Sequence, residues 1–96
     1  MYRIMIVEDD EVIARAVQQS LVSWGMDAFC VQDFSSVLAE FAVKNPQLVL
    51  MDIHLPFFNG FHWCQEIRKV SKVPVIFLSS ASDNMNIIMA VNMGRR

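Results

Sequence analysis

The sequence predicts an α/β fold, an open parallel sheet with helices on both faces. Three observations carry this. Four short apolar runs alternate with four longer segments of helical period. The runs are continuously apolar, as strands covered on both sides are. Hydrophobic residues make up 54% of 96 residues and charged residues 19%, with a mean hydropathy of +0.35. That composition excludes disorder. A chain of this size buries roughly 65% of its unfolded surface, enough for one domain with one core.

The first strand is predicted at 3–7. A helix follows with Ile13, Ala16, Val17, Leu21 and Trp24 as its apolar positions, stopped by Gly25. The second strand is predicted at 28–31. Asp33, Ser35 or Ser36 caps a second helix with Val37, Leu38, Phe41 and Ala42 inward, and Asn45-Pro46 ends it. The third strand, 48–51, runs into Asp52. Pro56, Asn59 and Gly60 mark a loop into a third helix with Phe61, Cys64, Ile67 and Val70 inward. The fourth strand is predicted at 73–78, and Ser82 or Asp83 caps a last helix that closes at Gly94.

Several function classes are excluded early. Eight basic and ten acidic residues give a net charge of −2, so the chain lacks the footprint of a nucleic-acid binder. No apolar run is long enough to span a membrane, and the run after Arg3 stops at Glu8, too soon for a secretory signal. Cys30 and Cys64 form neither a disulfide framework nor a metal-spaced pair, so free thiols in a reducing cytoplasm are expected. His54, His62 and Cys64 match no standard zinc spacing. Arg95-Arg96 is too short for a nucleic-acid patch.

Ligands of open parallel sheets bind beyond the carboxyl ends of the strands. Glu8-Asp9-Asp10-Glu11 follows the first strand, Asp52 the third, and Ser79-Ser80 the fourth. If the first and third strands are neighbours, two or three carboxylates converge and repel one another. A hard divalent cation relieves that repulsion, and all-oxygen ligation suits Mg²⁺. Such a cluster suits a phosphoryl group, with one carboxylate available as nucleophile and the Ser79 hydroxyl as a donor. Acidic residues at a helix start also serve as plain caps, so Glu8 to Glu11 alone decides little. Asp52, directly after Leu-Val-Leu-Met, has no comparable structural reason to be there.

Taken in order, these motifs resemble the receiver domain of bacterial two-component response regulators. Ile4-Met5-Ile6-Val7-Glu8-Asp9-Asp10 is similar to the family's first strand and acidic pair. Leu48-Val49-Leu50-Met51-Asp52-Ile53-His54-Leu55-Pro56, with Gly60, resembles its phosphorylation strand and loop. Pro74-Val75-Ile76-Phe77-Leu78-Ser79-Ser80 resembles its fourth strand with the switch hydroxyl. The resemblance implies a flavodoxin-like (CheY-like) doubly wound sheet of order 2-1-3-4. It implies Asp52 as phosphoacceptor, Mg²⁺ held by Glu8, Asp9, Asp52 and the His54 backbone carbonyl, and Ser79 as switch hydroxyl. A sensor histidine kinase is the implied donor, and a winged-helix transcription regulator the implied parent.

The family continues with a fifth strand ending in a Lys and with a fifth helix, whereas here only Arg95-Arg96 follows Gly94. The expectation is an open fourth strand and self-association through that side, or a marginally folded fragment. Phosphoryl transfer without the Lys should be weaker. Two other readings stand beside the phosphoacceptor module. One is a Mg²⁺-dependent aspartyl-phosphate phosphatase or phosphotransferase, although Ile53-His54 supplies no second acid. The other is an interaction fragment that is not phosphorylated. Smaller features have plain readings: His62 and Glu66 as a surface pair, Phe57 and Phe58 partly exposed, Trp63 half-buried, and the methionines as core filler.

Overall fold

The computed structural model describes residues 2–78. Its elements are β1 (Arg3–Val7), α1 (Glu11–Ser23), β2 (Asp27–Cys30), α2 (Val37–Lys44), β3 (Leu48–Asp52), α3 (Gly60–Arg68) and β4 (Val75–Leu78). The four strands form one sheet of order β2-β1-β3-β4, every pair parallel. This is the order that the resemblance implies.

The period of two along β1 separates two cores. Met5 and Val7 join Val49, Met51, Val75 and Phe77 beneath α2 and α3. Ile4 and Ile6 face the other way and pack with Ala14, Leu21 and Ala28 around α1. Both faces are thus covered, which explains strands that read as unbroken apolar runs. Met5 and Met51 are fully buried, as core filler should be.

Several sequence expectations are corrected. The inward stripe of α1 is Ala14, Val17 and Leu21, while Ile13, Ala16 and Trp24 are exposed. Asp10 caps the helix, and Trp24 stands at its C-cap. β2 starts at Asp27, one residue early, because Asp27 pairs with Arg3 in the ladder and its carboxylate accepts from Arg3 Nε at 2.9 Å. Ser36 is the α2 N-cap by position but makes no side-chain cap bond; Asp33 instead accepts from the amide and hydroxyl of Ser35. Ala42 is exposed. Asn45 ends α2 in the left-handed region at φ 49°, as the Asn-Pro pair suggested.

β4 begins at Val75, not at residue 73, because Pro74 has no N–H to enter the ladder and contributes only its carbonyl, to the Val49 amide at 3.0 Å. Val70 lies beyond the end of α3 and is exposed; Trp63 is buried and joins Cys64 and Ile67 on the inner face. Glu66 is engaged by Lys69 at 2.9 Å, while His62 stacks on Phe58 with centroids 4.3 Å apart. The last helix, Ser79, Gly94 and whatever lies beside β4 on the side away from β3 fall outside the described residues. So does the expectation of self-association.

Candidate functional site

The parallel register aligns Val7 with Met51, so Glu8 and Asp52 leave their strands side by side. Asp52 also aligns with Leu78 of β4. Among the described residues, Glu8 and Asp52 are the buried charged ones at 9% and 7% exposure, and Asp9 is exposed. Oxygen atoms of the three carboxylates all lie within 4.8 Å of one another. Among the described residues this is the set of His, Cys, Asp and Glu that converges; His54, His62 and Cys64 form no such set.

Three acids this close destabilise one another's charge. The Glu8 carboxyl is pushed up from 4.5 to about 7, first by burial and then by the charge of Asp52 and a hydrogen bond with it. The Asp10 amide, donating to Glu8 Oε2 at 3.1 Å, acts in the opposite sense. Hard oxygen donors at this spacing, with one proton held against its ordinary tendency, fit a divalent cation such as Mg²⁺. The neighbouring acids have other tasks. Asp10 Oδ1 accepts from the amides of Val12 at 2.9 Å and Ile13 at 3.3 Å, and Glu11 lies in the first turn of α1.

The loop from β3 to α3 is held closely to the site. Gly60 is buried and its amide donates to the Ile53 carbonyl at 2.9 Å. A Cβ on Gly60 would overlap the Asp52 carbonyl oxygen. Asn59 caps α3 by accepting from the His62 amide at 2.9 Å. Between these anchors Phe57 adopts φ 71°, and the Phe58 amide donates to the Pro56 carbonyl at 2.9 Å, closing a three-residue γ-turn. Phe57 is 75% exposed and Phe58 46%. His54 is exposed at the start of this loop. On the α1 side, a polar cavity of about 160 Å³ is lined by Glu8, Asp9, Glu11, Arg15, Gln32 and Phe34.

The family model for the response regulator receiver domain matches residues 4–96. The chain belongs to that family. It is 43% identical over 94 residues to the sensory transduction protein BceR of Bacillus subtilis, covering 98% of this chain and 41% of BceR. The chain thus spans about two fifths of the length of the curated relatives it matches. Among solved structures, the N-terminal domain of the nisin resistance regulator NsrR, a lantibiotic response regulator, superposes with a TM-score of 0.84 at 44% identity, covering 98% of this chain and 80% of that one. The response regulator TrrA of Thermotoga maritima, in complex with Mg²⁺-BeF, superposes with a TM-score of 0.78 at 28% identity, covering 90% of this chain and 79% of that one. Receiver domains bind Mg²⁺ at an acidic pocket, and the acidic pocket of this chain is Glu8, Asp9 and Asp52. No helix among the described residues is long and apolar enough to cross a membrane.

Sequence reasoning brought Glu8, Asp9 and Asp52 together correctly. It missed the double role of Asp10, the close approach at Gly60 and the left-handed backbone of Phe57. An Asp directly before a helical period is a capping signal that was available for the first. The close approach at Gly60 depends on how two chain segments pass each other, which local sequence does not encode.

Proposed function

We propose that this chain is the phosphoacceptor module of a two-component phosphorelay, receiving a phosphoryl group on Asp52 from a sensor histidine kinase. The observation that carries the proposal is the convergence of Glu8, Asp9 and Asp52 at the carboxyl ends of β1 and β3. Glu8, Asp9, Asp52 and the His54 backbone carbonyl would hold Mg²⁺. When bound, the ion neutralises phosphoryl oxygens and the repulsion among the carboxylates.

An Asp52 carboxylate oxygen attacks phosphorus, the bond from phosphorus to the donor's nitrogen breaks, and the imidazole leaves with the electron pair. The product is an aspartyl-phosphate. Ser79, next in the chain after Leu78, donates its hydroxyl to a phosphoryl oxygen. The added charge then biases a two-state surface. The chain undergoes its own modification and turns over no separate substrate. Its parent would be a cytoplasmic DNA-binding transcription regulator, a reading supported by the 45% identity over 94 residues to YvcP of Bacillus subtilis, whose name is that of a transcriptional regulatory protein.

Acetyl phosphate with Mg²⁺ tests this directly by intact mass. The expected result is a gain of one phosphate that chelation of Mg²⁺ and Asp52→Asn both abolish. Sustained hydrolysis of a phosphate ester would favour the phosphatase reading, and no adduct at all would leave an interaction fragment.

A further inference from the structure

Asp10 makes two sets of bonds at once. Its side chain caps α1 through Val12 and Ile13, at 2.9 and 3.3 Å, and its own amide donates to Glu8 Oε2 at 3.1 Å. Glu8 is the most adjustable of the three converging acids, because its side chain has more rotamers than Asp9 or Asp52. A donor at a fixed place selects one of those rotamers before any cation arrives. The place of the Asp10 amide is in turn set by its extended backbone, φ −78° and ψ 110°, which the cap bonds hold.

We propose that Asp10 is a positioning residue for the cation site: the capped start of α1 fixes the Asp10 amide, and that amide aims the Glu8 carboxylate at the ion. Asp10 therefore acts through its backbone: its Oδ1 accepts from two helix amides, and its carboxylate is not among the converging acids Glu8, Asp9 and Asp52. A ligand already oriented loses less freedom on binding, so the cap contributes to affinity without touching the metal. The inference rests on the reading of the site given under Proposed function.

Two variants separate position from charge. Asp10→Asn and Asp10→Ala remove the same charge, but only Asn keeps an oxygen that can cap. Mg²⁺ titration of the full chain by calorimetry is expected to give a dissociation constant for Asp10→Ala about fivefold weaker than for Asp10→Asn, the scale of one lost cap. Asp10→Ser and Asp10→Gly repeat the comparison in a milder background should Asp10→Ala fold poorly, with the same ordering expected. Equal affinities within each pair, with binding intact, overturn the inference alone. Absence of any Mg²⁺ binding by the wild-type chain overturns the functional reading and this inference with it.

Discussion

The backbone of Asp52 and the α-carbon of Gly60 approach so closely that any side chain at position 60 would overlap the Asp52 carbonyl oxygen. The start of α3 is thereby seated on the end of β3, and the phosphoacceptor candidate is buffered from movement on that side. The obstacle is backbone, which cannot swing away as a side chain could. Gly60→Ala is expected to cost about 1–3 kcal/mol, the range for overpacking a well-filled site. Urea unfolding should show a lower midpoint with an unchanged slope. Mg²⁺ affinity should fall in the same variant, because Asp52 must shift to make room.

Glu8 ties stability to pH in a direction opposite to that of an ordinary paired carboxylate. Its folded value, about 7, lies above the unfolded 4.5, so folding favours the protonated form. Below 4.5 both states bind the proton and the group has no effect. As pH rises towards 7 the unfolded chain ionises readily while the folded chain resists, and stability is lost across that window. Without divalent cations, the melting temperature should fall by roughly 10 °C more in the wild type than in Glu8→Gln between pH 5 and 8. Mg²⁺ should restore it in the wild type. A wild-type profile parallel to that of Glu8→Gln would refute the assignment.

Much of the fold was legible because its signals are local and redundant. Ile4 to Val7 and Leu48 to Met51 are unbroken apolar runs flanked by polar residues, and Asn45-Pro46 and Asn59-Gly60 punctuate the chain beside them. Asp52 was legible because an acid at the end of such a run has no packing reason to be there. The inner face of α1 was not. Ile13 and Ala14 compete for it, and apolarity alone favours Ile13, yet small Ala14 is the one that lies against the sheet while Ile13 is exposed. Val70 misled in the same way, since its spacing continues the α3 stripe past the point where the helix stops. The proximity of Glu8 and Asp52 needed the β1–β3 register, which is a tertiary fact.

Asp52 itself raises the energy of the metal-free protein. It is 7% exposed and adds to the charge that disfavours ionised Glu8. Asp52→Asn keeps the shape and removes one charge from the cluster. At pH 7.5 without divalent ions this variant should melt several degrees above the wild type, and its melting temperature should respond little to Mg²⁺. The pairing of higher intrinsic stability with lost phosphate uptake distinguishes a functional acid from a structural one, which would destabilise on replacement. Differential scanning calorimetry with and without 10-fold excess Mg²⁺ over the wild-type dissociation constant (roughly 1.4 kcal/mol of linkage) resolves the two cases.

Phe57 is held at φ 71° although a bulky side chain disfavours that region, and its ring is 75% exposed, so its own packing does not compensate. The compensation comes from both neighbours. Pro56 fixes its own φ and accepts the γ-turn bond, and Phe58 is anchored by the stack on His62 and an edge contact with Trp63 at 5.5 Å. Left-handed backbone at a non-glycine residue costs on the order of 1–3 kcal/mol. Phe57→Gly removes that cost and loses part of the gain to the entropy of the unfolded chain. The net expectation is a rise of roughly 1 kcal/mol, or about 4–8 °C in melting temperature. Phe57→Ala keeps the strained backbone and loses only an exposed ring, so it should melt close to the wild type. If Ala stabilises as much as Gly, the exposed ring rather than the backbone is what the fold tolerates at a cost.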